Sequence, residues 1–477
     1  MQDSHSSLHE DWQGLGIRHS RCAGLDISSS FHCCYFPPHL VKAAEANQAD
    51  GGLVINFEAD QLGLQALAAA LSLHGVEQVV MESTGTYWYG AHRLLSQQGF
   101  KVCLVNPRHA KNIAGRKTDE QDARWLCRLH SYGLLRASFV VSEDFQDLRD
   151  LMRQRDLLLK DRSRQVLLMT KLLDQMNVKV HKVISDLSGS TGMAIVRFIA
   201  QGVPPRATNW ERFHNALMKV DRATFVRTLQ ADYSHCTCFL LAQHLAQYDL
   251  LNEHIGAIDR YGERLLVAKI EGLAQADLAA EQEQDFIRPL MTKTGRKRKT
   301  AASKNTPLYD QHYYLQELLG VDMTTLPGMQ TQSLLEILAE LGTDMEQKFP
   351  TAAHFTSWLQ LSPNPKISAG KVIGKKRVSS VNRVHAVFRN CAFSLANSSG
   401  YFGQFYRSIK RKSNGKTANK ALARKLAVIF YKMFIHKTAY DEERLTNPQL
   451  VQQRKLARLK RQARLFGYQL VLKQTTQ

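Results

Sequence analysis

The chain has 477 residues, 44% of them hydrophobic, and a formal net charge of +20. That length suggests two or three domains with sizeable cores, and the charge makes a polyanion the leading partner class. No run of about 18 apolar residues is present, which excludes a membrane-spanning helix, and "MQDSHSSLHEDWQGLG" at the start lacks a signal-peptide core.

Residues 1–19 read as a tail. "RCAGLDISSSFHCCYF" (21–36) reads as a strand, a small-residue turn and a second strand, with Asp26 at the end of the first. A helical segment, "QLGLQALAAALSLHG", precedes the apolar strand "VEQVVMEST", which ends in Glu82. A helix is predicted from about Tyr87 to Gln98, then the strand "FKVCLVNP", then a helix beginning at "KTDEQDA". Strands alternating with helices over this span indicate an α/β domain. Residues 143–187 contain no Pro or Gly and hold a long apolar spacing, which predicts one long helix of coiled-coil character. Residues 190–290 read as helical. "KTGRKRKTAASKNTP" is a basic linker, and "LLGVDMTTLPGMQTQSLLEILAELG" is helix, Pro-Gly turn, helix. "RKLARLKRQARLF" reads as a basic helix near the C-terminus, either a solvated tail or a binding element.

The eight cysteines are scattered, and "HCTC" at 235–238 lacks a second half at zinc-site spacing. They read as reduced thiols of a cytoplasmic protein. Between Glu346 and Asp441 there is no Asp or Glu, while 18 Lys and Arg fall in that interval. A solvated face normally mixes signs, so this run calls for a phosphate backbone opposite it.

Asp119 and Asp122 stand one helical turn apart behind Arg116 and Lys117. Two readings are open: an acidic first turn favoured by the helix dipole, or half of a divalent-metal site. Asp26 alone suits a turn and Glu82 alone a helix cap. Jointly, the four carboxylates sit at strand ends and a helix start, where α/β folds place ligands. Such oxygens suit Mg²⁺ or Mn²⁺, and two ions could stabilise both the attacking and the leaving oxygen at a phosphodiester. "SNGKT" (413–417) fails as a phosphate loop because Lys410 stands where glycine is required. Lys410, Arg411, Lys412 and Lys416 are therefore assigned to nucleic-acid phosphates. In "LSPNPKISAGKVIGKKRVSS", Ser368 lies in a small-residue loop near Lys371, Lys375, Lys376 and Arg377. It is either a nucleophile awaiting a base or a phosphate-binding serine.

Several segments resemble, in order, the DEDD transposases of the insertion-sequence 110 family, the bridge-RNA-guided recombinases. They are "GLDISS", "MESTGTYWYG", "VNPRHAKNIAGRKTDEQDARWL", "LPGMQTQSLLEILAELG", "SPNPKISAGK" and "GKTANKALARKLAVIFYKMF". The resemblance implies a RuvC-like, ribonuclease-H-fold domain over 20–142 with Asp26, Glu82, Asp119 and Asp122 as metal ligands. By pattern and composition, a helical, coiled-coil region follows over 143–292, then a linker over 293–310, and a basic tail lies over 446–477; the resemblance implies a helical transposase domain over 311–445 with Ser368 as nucleophile. It further implies donor and target DNA, a structured guide RNA, and a tetramer whose domains meet across subunits, in the bacterial cytoplasm at the nucleoid. Ala369 stands where the family has glycine, and Met329 and Gln330 depart from its Pro-Gly-Ile-Gly turn; Ser379 and Ser380 are alternatives to Ser368. A hydrolytic junction-resolving nuclease and a non-catalytic nucleic-acid-binding protein remain the alternative functions.

Overall fold

The computed structural model describes residues 16–107, 118–202, 213–214, 220–231, 233–272, 285–291, 304–363, 365–369, 371–375, 382–442 and 448–469. They divide into two compact units at Glu143/Asp144.

The first unit is built on a five-stranded mixed sheet. Strands β1 (Cys22–Ile27), β2 (Phe31–Phe36) and β3 (Leu53–Glu58) form an antiparallel meander. Ser28 shapes its first turn: the hydroxyl donates to the Phe31 carbonyl at 2.6 Å and accepts from the Phe31 amide at 3.2 Å. Helix α1 (Gln61–Leu73) leads to β4 (Gln78–Glu82), and α2 (Trp88–Gln97) leads to β5 (Lys101–Val105). Both β4 and β5 join the β1 edge in parallel, giving the order β3-β2-β1-β4-β5.

Alternation along the strands sorts their residues to two faces. Ala23, Leu25 and Ile27 pack with Val79 and Met81 against the buried faces of α1 and α2. Cys22, Cys33, Tyr35 and Val54 pack against Ala123 and Cys127 of helix α3 (Asp119–Ser131), and Val80 and Val105 against its Leu126. Gly24 lets α3 come this close. A Cβ there would fall 2.8 Å from the Cys127 nitrogen and nearer still to the Ala123 carbonyl oxygen, so only glycine fits beneath the helix.

The second unit is mostly helical. Helix α4 (Glu143–Gln175) begins at the boundary and runs 33 residues, roughly 50 Å at the α-helical rise. It stops twelve residues short of the sequence expectation because Asn177 takes the left-handed conformation, φ 59. The Val178 amide then bonds the Leu173 carbonyl and the Asn177 amide that of Asp174, which satisfies the last carbonyls. After α5 (Ser190–Ala200) and α6 (Arg222–Leu229), the 37-residue α7 (His235–Glu271) returns antiparallel to α4. The pairing is read from Met176 with Cys238 at one end, Gln165 with His244, Arg162 with Asn252, Arg155 with Asp259, and Lys269 over the Phe145 ring at the other.

Residues 304–310, expected to belong to a linker, are instead packed. Tyr309 is fully buried, Leu290 and Leu308 are hydrogen-bonded through their backbones, and the Asn305 carbonyl accepts from Arg155 at 2.8 Å. Residues 293–303 of that predicted linker lie outside the described residues.

Helix α8 (Gln311–Leu319) and helix α9 (Thr331–Leu341) flank the Pro-Gly turn, where Gly328 has φ 82. Two short helices follow, α10 (Met345–Lys348) and α11 (Ala352–Trp358), then the hairpin β6 (Pro365–Ser368) and β7 (Lys371–Lys375). Helices α12 (Arg383–Ser394), α13 (Tyr401–Lys412) and α14 (Gly415–His436) close the core around Phe355, whose ring contacts Phe388, Phe430 and Tyr431. A basic helix, α15 (Pro448–Leu465), forms as the sequence predicts. No described helix is long and apolar enough to cross a membrane.

Candidate active site and nucleic-acid interface

Asp26 is the fifth residue of β1 and Glu82 the last of β4. The two strands are parallel neighbours with Leu25 opposite Met81, so the next residues, Asp26 and Glu82, end side by side on the face that α3 covers. Asp119 and Asp122 occupy the first turn of α3, where Thr118 caps the helix by accepting from the Gln121 amide at 3.3 Å. Both readings of that acidic pair meet here: it is a dipole-favoured first turn, and it faces Asp26. Burial, then Asp119 and Asp122, and to a lesser degree Glu82, raise the Asp26 carboxyl to about 6, against a hydrogen bond from the Ile27 amide at 3.1 Å. The four carboxylates thus share one electrostatic field.

They are not drawn together at ligating range. Among the described residues, no group of three or more His, Cys, Asp or Glu side chains is gathered as a metal-binding cluster. The donor set itself fits a hard divalent ion, being carboxylate oxygens alone. Two neighbours were not anticipated from sequence. Thr84 donates to a Glu82 carboxylate oxygen at 3.2 Å, and Glu120 leads the charges that, after burial, push the Cys33 thiol up to about 12. The "EST" spacing carried the first signal; nothing local carried the second. Arg116 and Lys117 lie outside the described residues.

In the second unit, Ser368 is not in a loop but is the last residue of β6, directly opposite Lys371 on β7. Cross-strand partners stand about 5 Å apart at Cβ and point to one face, so the two side chains start as neighbours, and both are exposed. Ala369 follows with φ 46. This is the left-handed conformation that glycine adopts freely and alanine at a cost of about 1–2 kcal/mol. The missing family glycine therefore leaves the turn standing, under strain. Lys375 ends β7; Lys376, Arg377, Ser379 and Ser380 lie outside the described residues.

Lys410, Arg411 and Lys412 form the last turn of α13, where cations suit the helix dipole. Lys416 is exposed in the first turn of α14, where that dipole opposes it. Lys410 and Arg411 line an open pocket of about 600 Å³ together with Arg407, which sequence reading passed over although it lies one turn earlier on the same face. Arg407 is anchored by donating to the Ser398 carbonyl at 2.8 Å.

Comparison with protein families bears on both units. The model of the DEDD transposases of the IS110 family matches residues 23–178, and that of the IS116/IS110/IS902 transposases matches residues 322–407. The chain belongs to the IS110 family of transposases. As a transposase it acts on DNA, in transposition and recombination. The first match contains all four carboxylates, and the second contains Ser368 and Arg407. No curated protein matches the chain.

Proposed function

We propose that this transposase moves its element by site-specific recombination, with Asp26, Glu82, Asp119 and Asp122 holding Mg²⁺ or Mn²⁺ and Ser368 as nucleophile. The observation that carries the reading is the adjacency of Asp26 and Glu82 on parallel strands with the first turn of α3 laid over them. A sheet of order β3-β2-β1-β4-β5, antiparallel on one side of β1 and parallel on the other, supports a RuvC-like, ribonuclease-H-fold domain. Divalent ions at this set would neutralise phosphate charge and stabilise the oxygens of the exchange.

The Ser368 oxygen attacks the scissile phosphorus. One serine–phosphorus bond forms as one phosphorus–sugar bond breaks, and the departing sugar oxygen takes a proton. A sugar hydroxyl of the partner strand then displaces serine, so the strand is rejoined without an external energy source. Lys371, opposite Ser368, offsets charge on the phosphate. A tetramer would bring Ser368 of one subunit to the carboxylates of another, where one of them accepts the serine proton. The basic surface of the second unit would hold DNA and a structured guide RNA.

The test is strand exchange on DNA carrying the element ends. Asp26→Asn and Ser368→Ala should each abolish exchange while retaining nucleic-acid binding, and a suicide substrate should trap wild-type protein covalently at Ser368. Metal-dependent cutting by Ser368→Ala without an adduct would instead establish the hydrolytic nuclease. RNA that co-purifies and maps beside the gene would identify the guide.

A further inference from the structure

Helix α15 lies outside both family matches and raises a separate question. From 448 to 468 the chain has six cations, Arg454, Lys455, Arg458, Lys460, Arg461 and Arg464, and no Asp or Glu. Lys460 and Arg464 fall at i,i+4, where like charges disfavour a helix. A helix of this kind gains from a polyanion along it. It also bears an apolar row, Leu456, Leu459, Ala463 and Phe466, at the spacing of one face.

The end of the helix is ordered by its own backbone. Gly467 has φ 78, the Tyr468 amide bonds the Ala463 carbonyl at 2.8 Å, and the Gly467 amide bonds that of Arg464 at 3.1 Å. This motif closes the helix and fixes the path of the residues that follow it. Yet the two aromatic side chains there stay open to solvent, Phe466 at 78% and Tyr468 at 73%. Two exposed rings on a held backbone, beside exposed Lys460, Arg461 and Arg464, combine a stacking platform with phosphate contacts.

We propose that α15 and its terminal turn bind a single-stranded segment of nucleic acid, phosphates on Lys460, Arg461 and Arg464 and unpaired bases on Phe466 and Tyr468. Duplex fits poorly, because its bases are stacked inside and offer the rings nothing. A second copy of the helix fits poorly too, because six like charges on each would repel. This surface does not depend on the metal-site reading, since none of its residues belongs to that set.

The experiment uses the full-length protein. A 20-nucleotide oligouridine containing 4-thiouridine is photocrosslinked and the modified peptide mapped; the peptide bearing Phe466 and Tyr468 should carry the label. Phe466→Ala with Tyr468→Ala should weaken oligouridine binding about tenfold or more and leave binding of a 20-base-pair duplex within twofold. Lys460→Gln, Arg461→Gln and Arg464→Gln together should flatten the salt dependence on the single strand by about 2 log–log units, at roughly 0.7 per phosphate. All these side chains are exposed, so circular dichroism should be unchanged; were a variant to misfold, the crosslink on wild-type protein decides. Absence of label in this peptide, equal loss on single strand and duplex, or displacement of oligouridine by anionic phospholipid vesicles would overturn the proposal.

Discussion

Asp26 holds its proton up to about 6 because burial and the carboxylates facing it oppose its charge. In the unfolded chain the same group titrates in the ordinary range, near 3.8. Metal-free protein is therefore helped by a protonated Asp26 in acid and loses that help as pH rises through 6. Asp26→Asn removes the repulsion with little change of shape. The variant should have a higher melting temperature than wild type in chelator at pH 8, and the gain should shrink as pH falls toward 4. Added Mg²⁺ should raise the melting temperature of wild type and leave the variant nearly unmoved. If Mg²⁺ stabilises both equally, the ion binds elsewhere. Ser368 shows the other side of residue-scale reading. Its chemistry was legible as a serine among cations, but its place at a strand end opposite Lys371 was not, because four-residue strands carry too little alternation to read.

Elements were legible wherever period and punctuation agreed. Strands β1 and β2, helices α1 and α2, and the start of α3 all form where the sequence predicts. What stayed hidden depended on partners distant in the chain. The stop of α4 needs the left-handed Asn177, a residue equally at home in solvent. The alignment of α4 with α7 depends on Arg155, 1% exposed, meeting Asp259 at 2.5 and 3.2 Å, a pairing no local pattern announces. Gly24 sits between the two kinds. As a glycine within a strand it signals close backbone approach, but what approaches, α3 at Ala123 and Cys127, appears only in the fold. Gly24→Ala forces that helix outward, and such overpacking costs about 1–3 kcal/mol. Denaturant unfolding should register that loss. Because Asp119 and Asp122 ride on the displaced helix, the Mg²⁺-induced rise in melting temperature should fall with it. An unchanged metal response would mean that the position of α3 does not set the site.

Charge is distributed across the whole molecule in two opposed ways. The first unit concentrates carboxylates at one end of its sheet, while the interval from 347 to 440 in the second has 18 cations and no acid. Some of those cations are used internally: Lys437 donates to the Leu319 carbonyl at 2.9 Å, Arg383 to Asp156 at 3.0 Å, and Arg389 to Asn419 at 2.8 Å. Lys410, Arg411, Lys412 and Lys416 remain exposed around the break between α13 and α14. Lys416 stands there against the helix dipole, which disfavours a purely stabilising role. If this cluster contacts the phosphates of duplex DNA, binding must release counterions, and affinity must fall with salt by about 0.9 log–log units per neutralised phosphate. Lys410→Gln, Arg411→Gln and Lys412→Gln together should then lower the slope by about 2 to 3 units on duplex of any sequence. The same triple variant should keep the wild-type melting temperature to within about 1–2 °C, since exposed charges contribute little to stability. A slope that stays at the wild-type value would assign the duplex contacts to another part of the surface, and a loss confined to one DNA sequence would mean that these side chains read bases rather than phosphates.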